Sequence, residues 1–197
     1  MITIIDYGAG NLRSVENTLA ALGAAYQITR DPLRVLASHK LILPGVGHFG
    51  QMMRALDQLG LRAPILEIAR RGTPFLGICL GLQAMFEASE EAPGLMGFGF
   101  FPGRVVRFPP GVRAPQMGWN EIAPRPDSRL LAGLGPKPYL YFANSYYAPV
   151  IGATAATCHY TLDFSAAVER ANLFGVQFHP EKSGPLGMKI VQNFLEL

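Results

Sequence analysis

A chain of 197 residues with 49% hydrophobic and 16% charged content can bury a sizeable core, and it is read as one domain spanning 1–197. Its formal charge of +3, from 17 basic and 14 acidic residues scattered along the chain, argues against a nucleic-acid surface. Two cysteines, Cys79 and Cys158, are too few for a disulfide scaffold or, without suitably spaced histidines, for a zinc site, so neither metal nor cofactor is expected.

The elements follow in chain order. ITIID (2–6) reads as a strand, and Met1 leads straight into it without a basic-then-apolar leader. No apolar run approaches the ~18 residues of a membrane span, so a cytoplasmic protein is expected. A helical pattern covers Asn11 to Leu22, KLILPG (40–45) is a second strand, helical patterns cross 48–70, and PFLGICLG (74–81) is a buried strand turning into a helix over Leu80 to Glu87. Pro/Gly-rich stretches at 91–97 and 109–118 read as loops. The second half is strand-rich: FGFFPGRVVRF (98–108), PYLYFAN (138–144), ATAATCHY (153–160), SAAVERA (165–171) and LFGVQFH (173–179), before a final amphipathic helix over 186–196. Strand-helix alternation followed by strands predicts an α/β fold, with a central, mostly parallel sheet flanked by helices and an antiparallel extension.

Cys79 stands in GICLG, the pattern G-x-C-x-G at a strand-to-helix corner. This is a nucleophile elbow with sulfur in place of oxygen. The corner strains the backbone of the nucleophile and leaves little room beside it, which accounts for Gly77 and Gly81; the helix start favours negative charge there, and the Leu80 N–H faces a developing oxyanion. A structural cysteine beside packing glycines is the bland alternative.

A thiol nucleophile needs a base, and there are four histidines: His39, His48, His159 and His179. The first three read as structural. His179 ends a strand and is followed by Pro180 and Glu181, and in an extended segment residues two apart share a side, so the Glu181 carboxylate can lie against the ring. Pro180 fixes its own φ and keeps His179 out of the helical region. That gives the elements of a Cys-His-Glu triad. Pro44-Gly45-Val46-Gly47, after the strand LIL, can aim the Val46 N–H into the same crevice, making a two-donor oxyanion hole with Leu80.

GICLGLQ, PGVGHFG and FHPEKS, in one chain, resemble the class I glutamine amidotransferases, whose flavodoxin-like core carries a triad that releases ammonia from glutamine. DYGAGN (6–11), QMGWNE (116–121) and HPEKS (179–183) are similar to the branch of glutaminase subunits serving imidazole glycerol phosphate synthases in histidine biosynthesis. The resemblance implies Cys79 as nucleophile, His179 as acid/base and Glu181 as its orienting carboxylate. It implies L-glutamine as substrate, with Gln83 near the scissile amide and Gly47, Glu91, Ser145 and Tyr146 at its two charged ends. Many relatives have a histidine before the Ser/Thr-Tyr pair where this chain has Asn144, so no role of that histidine carries over.

The resemblance also implies a partner, a HisF-like (β/α)8-barrel cyclase subunit in a heterodimer, since the length leaves no residues for an acceptor domain. Asn11, Met117, Trp119, Asn120, Tyr141 and Lys182 are the expected interface; Asn11 can equally be a plain N-cap. Trp119 and its neighbours are read as lying in a loop. Alternatives are a subunit serving pyridoxal phosphate, purine, anthranilate or aminodeoxychorismate synthesis, a non-catalytic regulator with the same fold, or a free-standing thiol hydrolase of γ-glutamyl compounds. DYGAGNLR is not a dinucleotide fingerprint, because Arg13 replaces the third glycine.

Overall fold

The computed structural model describes every residue from Met1 to Leu197. In chain order the elements are β1 (Ile2–Ile5), α1 (Leu12–Ala21), β2 (Tyr26–Thr29), α2 (Pro32–Leu36), β3 (Lys40–Gly45), α3 (Phe49–Gln58), α4 (Arg62–Arg70), β4 (Phe75–Cys79) and α5 (Leu80–Ala84). There follow β5 (Phe86–Ser89), β6 (Phe101–Arg107), β7 (Gln116–Pro124), β8 (Tyr139–Asn144), β9 (Tyr146–Tyr147), β10 (Thr154–Tyr160), β11 (Leu162–Arg170), β12 (Leu173–Val176), a 3-10 turn (Pro180–Lys182) and α6 (Gly184–Glu196).

Nine strands form one sheet in the order β2-β1-β3-β4-β12-β11-β10-β7-β8, and β5-β6-β9 form a smaller one. The strands from β2 to β12 run parallel, and β11, β10, β7 and β8 continue the sheet antiparallel. The predicted α/β class, with its antiparallel extension, is what the chain adopts. Strand residues alternate between two cores, as the period-two pleat requires. Ile2, Ile4, Ile42 and Leu76 join Val15, Leu19, Ile190 and Phe194 of α1 and α6 on one face. Ile5, Leu41, Leu43 and Phe75 join α3, α4 and α5 residues such as Met52, Ile65 and Leu82 on the other. With both faces covered, β1 and β4 are buried throughout, which is why they read as unbroken apolar runs.

Two sequence expectations change. The helix after Cys79 ends at Ala84, and Phe86–Ser89 is strand β5 pairing with β6. The stretch around Trp119 is not a loop: Gln116–Pro124 is β7, paired with β8 over 116–121 and with β10 over 122–124. Two further elements lie where no element was predicted: β2, which pairs with β1, and α2, which starts at Pro32 with the Asp31 side chain capping it.

Candidate active site

Three neighbouring parallel strands deliver the predicted residues to one sheet end. Gly45 of β3 is in register with Cys79 of β4, and Val176 of β12 with Ile78. The chain leaving β3 therefore passes beside Cys79, and the chain leaving β12 reaches it within three residues, at His179. This is the carboxyl end of the strands, where open α/β sheets bind ligands.

Cys79 has φ 54° and ψ −107°, a positive φ that a side-chain-bearing residue rarely adopts. The surrounding glycines allow it. A Cβ on Gly77 would lie 2.6 Å from the Gly81 carbonyl oxygen, one on Gly81 would overlap the Leu43 carbonyl oxygen, and one on Gly45 would lie 2.8 Å from the Leu80 Cβ. The helix that carries the elbow thus packs backbone-to-backbone on β3 and β4. Gly77 and Gly81 serve that approach.

His179 Nδ1 lies 2.8 Å from Glu181 Oε1, and both side chains are 3% exposed. The pair meets by a geometry other than the expected one. Pro180–Lys182 is a 3-10 turn rather than an extended segment, and it curls the carboxylate back under the ring. Burial disfavours the imidazolium, but the neighbouring Cys79 sulfur and the Glu181 carboxylate, both of which favour a positively charged ring, outweigh it and push the His179 pKa up to about 10 from an ordinary 6.5. With the folded value raised, the stabilisation is fully present below about 6.5 and is lost as pH rises through about 10. Glu181→Gln removes one of the two upward pulls while burial remains. An NMR titration of the imidazole is expected to show a lower midpoint in the variant; an unmoved one would exclude the carboxylate as a cause.

The two expected oxyanion donors stand in different hydrogen-bond settings. Leu80 opens α5, so its N–H has no acceptor within the helix. The Val46 N–H donates to Tyr7 Oη at 3.3 Å, so it is occupied rather than presented to the crevice. Burial chiefly, offset by the bond to Val46 and reinforced by the charges of Cys79 and Asp6, pushes the Tyr7 phenol up to about 12, and it stays protonated.

The whole-chain comparisons agree with this geometry. The family model for glutamine amidotransferase class-I matches residues 3–197. The chain belongs to the class I glutamine amidotransferases. It is 47% identical over 198 residues to the imidazole glycerol phosphate synthase subunit HisH of Methanothermobacter thermautotrophicus, covering 100% of this chain and 98% of that one. It is likewise 47% identical over 199 residues to the HisH subunit of Moorella thermoacetica, covering 100% and 94%. Among solved structures, a glutamine amidotransferase superimposes with TM-score 0.79 at 18% identity, covering 100% of this chain and 98% of that one. PurLQS from Thermotoga maritima superimposes with TM-score 0.72 at 20% identity, covering 99% and 97%; both show the fold alone.

In this amidotransferase Cys79 and His179 open onto a cavity of about 280 Å³. Gly47, Gln83, Glu91, Ser145 and Tyr146, expected at the substrate, all line it, as does Asn144. Gln83 spends its amide hydrogens inward, on Tyr146 O and Gln177 Oε1, both at 3.0 Å, which leaves its carbonyl oxygen for a ligand. Glu91 Oε2 accepts the Phe49 N–H at 2.7 Å, so one carboxylate oxygen holds the start of α3.

Of the expected interface residues, Met117 and Lys182 reach the cavity wall. Met117 and Trp119 are exposed, at 67% and 53%. Trp119 packs edge-on to Tyr141 at 6.2 Å, and the Lys182 ammonium lies 5.7 Å from the Tyr141 ring centre, so the three form one surface beside the site. Asn120 bonds weakly to Gly118 O at 3.4 Å. Asn11 precedes α1, away from the cavity, and is no ordinary N-cap: its side chain caps no backbone N–H and accepts from Ser14 Oγ at 2.9 Å.

Two residues escaped the sequence reading. Gln177 is fully buried, and its Nε2 donates to Cys79 Sγ at 3.6 Å while its Oε1 receives Gln83. A polar residue inside the apolar run LFGVQF was the available signal. The other is Ser183, which binds the His179 carbonyl.

Proposed function

We propose that this chain is the glutaminase subunit of an imidazole glycerol phosphate synthase, a single glutamine amidotransferase domain that passes ammonia to a cyclase subunit. The observation that carries the chemistry is that Cys79 and His179 line one ligand-sized cavity, with the Glu181 carboxylate 2.8 Å from the buried imidazole. Full-length similarity to HisH subunits supports the pathway.

In this reading the thiol proton rests on His179, whose raised pKa keeps it there, and the Cys79 sulfur attacks the side-chain amide carbon of glutamine. Glu181 holds the tautomer and the charge of the ring. The Leu80 N–H supports the oxyanion; the Val46 N–H joins it only by leaving Tyr7, and one such donor is worth ~2.7–4 kcal/mol of barrier. His179 then protonates the departing nitrogen, and water hydrolyses the glutamyl thioester to glutamate. In bulk water at neutral pH the ammonia becomes mostly ammonium, which has no lone pair to attack with. A partner docked over the cavity mouth, on Met117, Trp119, Tyr141 and Lys182, keeps it neutral and directs it to a (β/α)8-barrel acceptor site, where imidazole glycerol phosphate and the aminoimidazole carboxamide ribotide form.

The deciding experiment measures glutamate release by the chain alone and with the cyclase subunit and its ligand. Slow hydrolysis alone and a rise of orders of magnitude with partner are expected. Full activity without the partner would favour a free-standing γ-glutamyl hydrolase instead.

A further inference from the structure

We propose that Ser183 is a positioning residue for the His179 imidazole, acting through a hydroxyl inserted between the His179 peptide and strand β8. The inference rests on the glutaminase reading above. Three hydrogen bonds close a ring. The His179 N–H donates to Tyr141 O at 2.8 Å, the Tyr141 N–H donates to Ser183 Oγ at 3.0 Å, and the Ser183 hydroxyl donates to His179 O at 2.7 Å. At the hydrogen-bonded positions of an antiparallel pair, two facing residues exchange both bonds directly. Tyr141 and His179 exchange one directly and the other through the hydroxyl.

The alternative role for this serine is capping α6, which it immediately precedes, and serine is a preferred N-cap. Here its side chain makes no cap hydrogen bond. It is 2% exposed and turned to His179 instead. Its backbone is fixed on both sides, its N–H bonded to Pro180 O at 3.0 Å and its carbonyl receiving Gly187 N–H at 3.3 Å. The hydroxyl thus refers the His179 peptide to two rigid elements, β8 and α6.

Glu181 cannot supply that anchoring. Its second carboxylate oxygen is buried with no hydrogen-bond partner, so it is tied to the fold through the histidine it orients. The His179 carbonyl keeps the Lys182 N–H at 3.0 Å if the hydroxyl is lost. The group then stranded is the Tyr141 N–H, and the freed peptide edge lets the ring tilt off the sulfur.

The test compares Ser183→Ala, Ser183→Thr and Ser183→Cys with the wild type, in the full chain and with the cyclase subunit. For Ser183→Ala the expected result is a kcat for glutamine hydrolysis about tenfold or more lower with KM changed less than about twofold, because misplacement of a reacting group costs rate more than binding. The His179 imidazole midpoint, read by NMR well below the melting temperature, is expected to fall. Ser183→Thr keeps the hydroxyl and should restore both readings, and Ser183→Cys, with its weaker donor, should fall between; these two keep the comparison valid if the alanine protein does not fold. A lowered melting temperature with unchanged kcat and unchanged imidazole midpoint would overturn the proposal. A wild type that does not hydrolyse glutamine even with the cyclase would instead remove the glutaminase reading, while the imidazole titrations would still decide whether Ser183 positions the ring.

Discussion

Replacing Cys79 with alanine is expected to abolish glutamine hydrolysis, by a factor on the order of 10⁴ or more, while ammonium salts still drive the cyclase reaction in the complex. The size follows from the chemistry. Without sulfur no thioester forms, and what remains is positioning and the oxyanion donor at Leu80. The fold should survive, since the side chain lost is small and its one hydrogen bond is the weak 3.6 Å contact from Gln177. The backbone strain at φ 54° is about the same for alanine. The assay is product formation by the complex with glutamine and, separately, with ammonium. Loss of both activities would assign Cys79 to assembly, and an unimpaired glutamine reaction would remove the nucleophile altogether.

Gly81→Ala is expected to destabilise the protein by about 3 kcal/mol or more, at the upper end of what overpacking costs. The added Cβ would overlap the Leu43 carbonyl oxygen, which is backbone inside a central strand and cannot rotate away. Relief requires α5 to lift from β3. That lift moves the Cys79 sulfur and the Leu80 N–H together, so the surviving folded fraction should also lose turnover. Denaturant unfolding followed by circular dichroism measures the first effect. A loss under 1 kcal/mol would mean that α5 is not held against β3 as described. Gly47, with φ 96° and nothing near its missing Cβ, carries a conformational demand instead of a packing one.

The residues of the site were legible because their local chemistry is distinctive. GICLG announces a tight corner around a thiol, and H-P-E places an acid near a histidine whatever the backbone between them does. The second point also has a limit: Glu181 meets His179 through a 3-10 turn, where the spacing predicts an extended segment. β7 was hidden because its glycine, asparagine and proline are residues that strands disfavour, and only pairing with β8 and β10 overrides that preference. Val46 lines the cavity together with Cys79, but the direction of its N–H is set by Tyr7, from a strand end 39 residues away.

The sequence by itself determined which atoms do the chemistry and that apolar strands would alternate with helices, since both are written in residue type and short-range period. Tertiary structure alone decided that β12 inserts beside β4, bringing residues a hundred positions apart into contact, and that a serine before α6 turns to the histidine instead of capping its helix. The physical reason is that strand order and hydroxyl orientation are settled by competition among distant partners for the same hydrogen bonds and the same buried surface, and no local stretch contains both competitors.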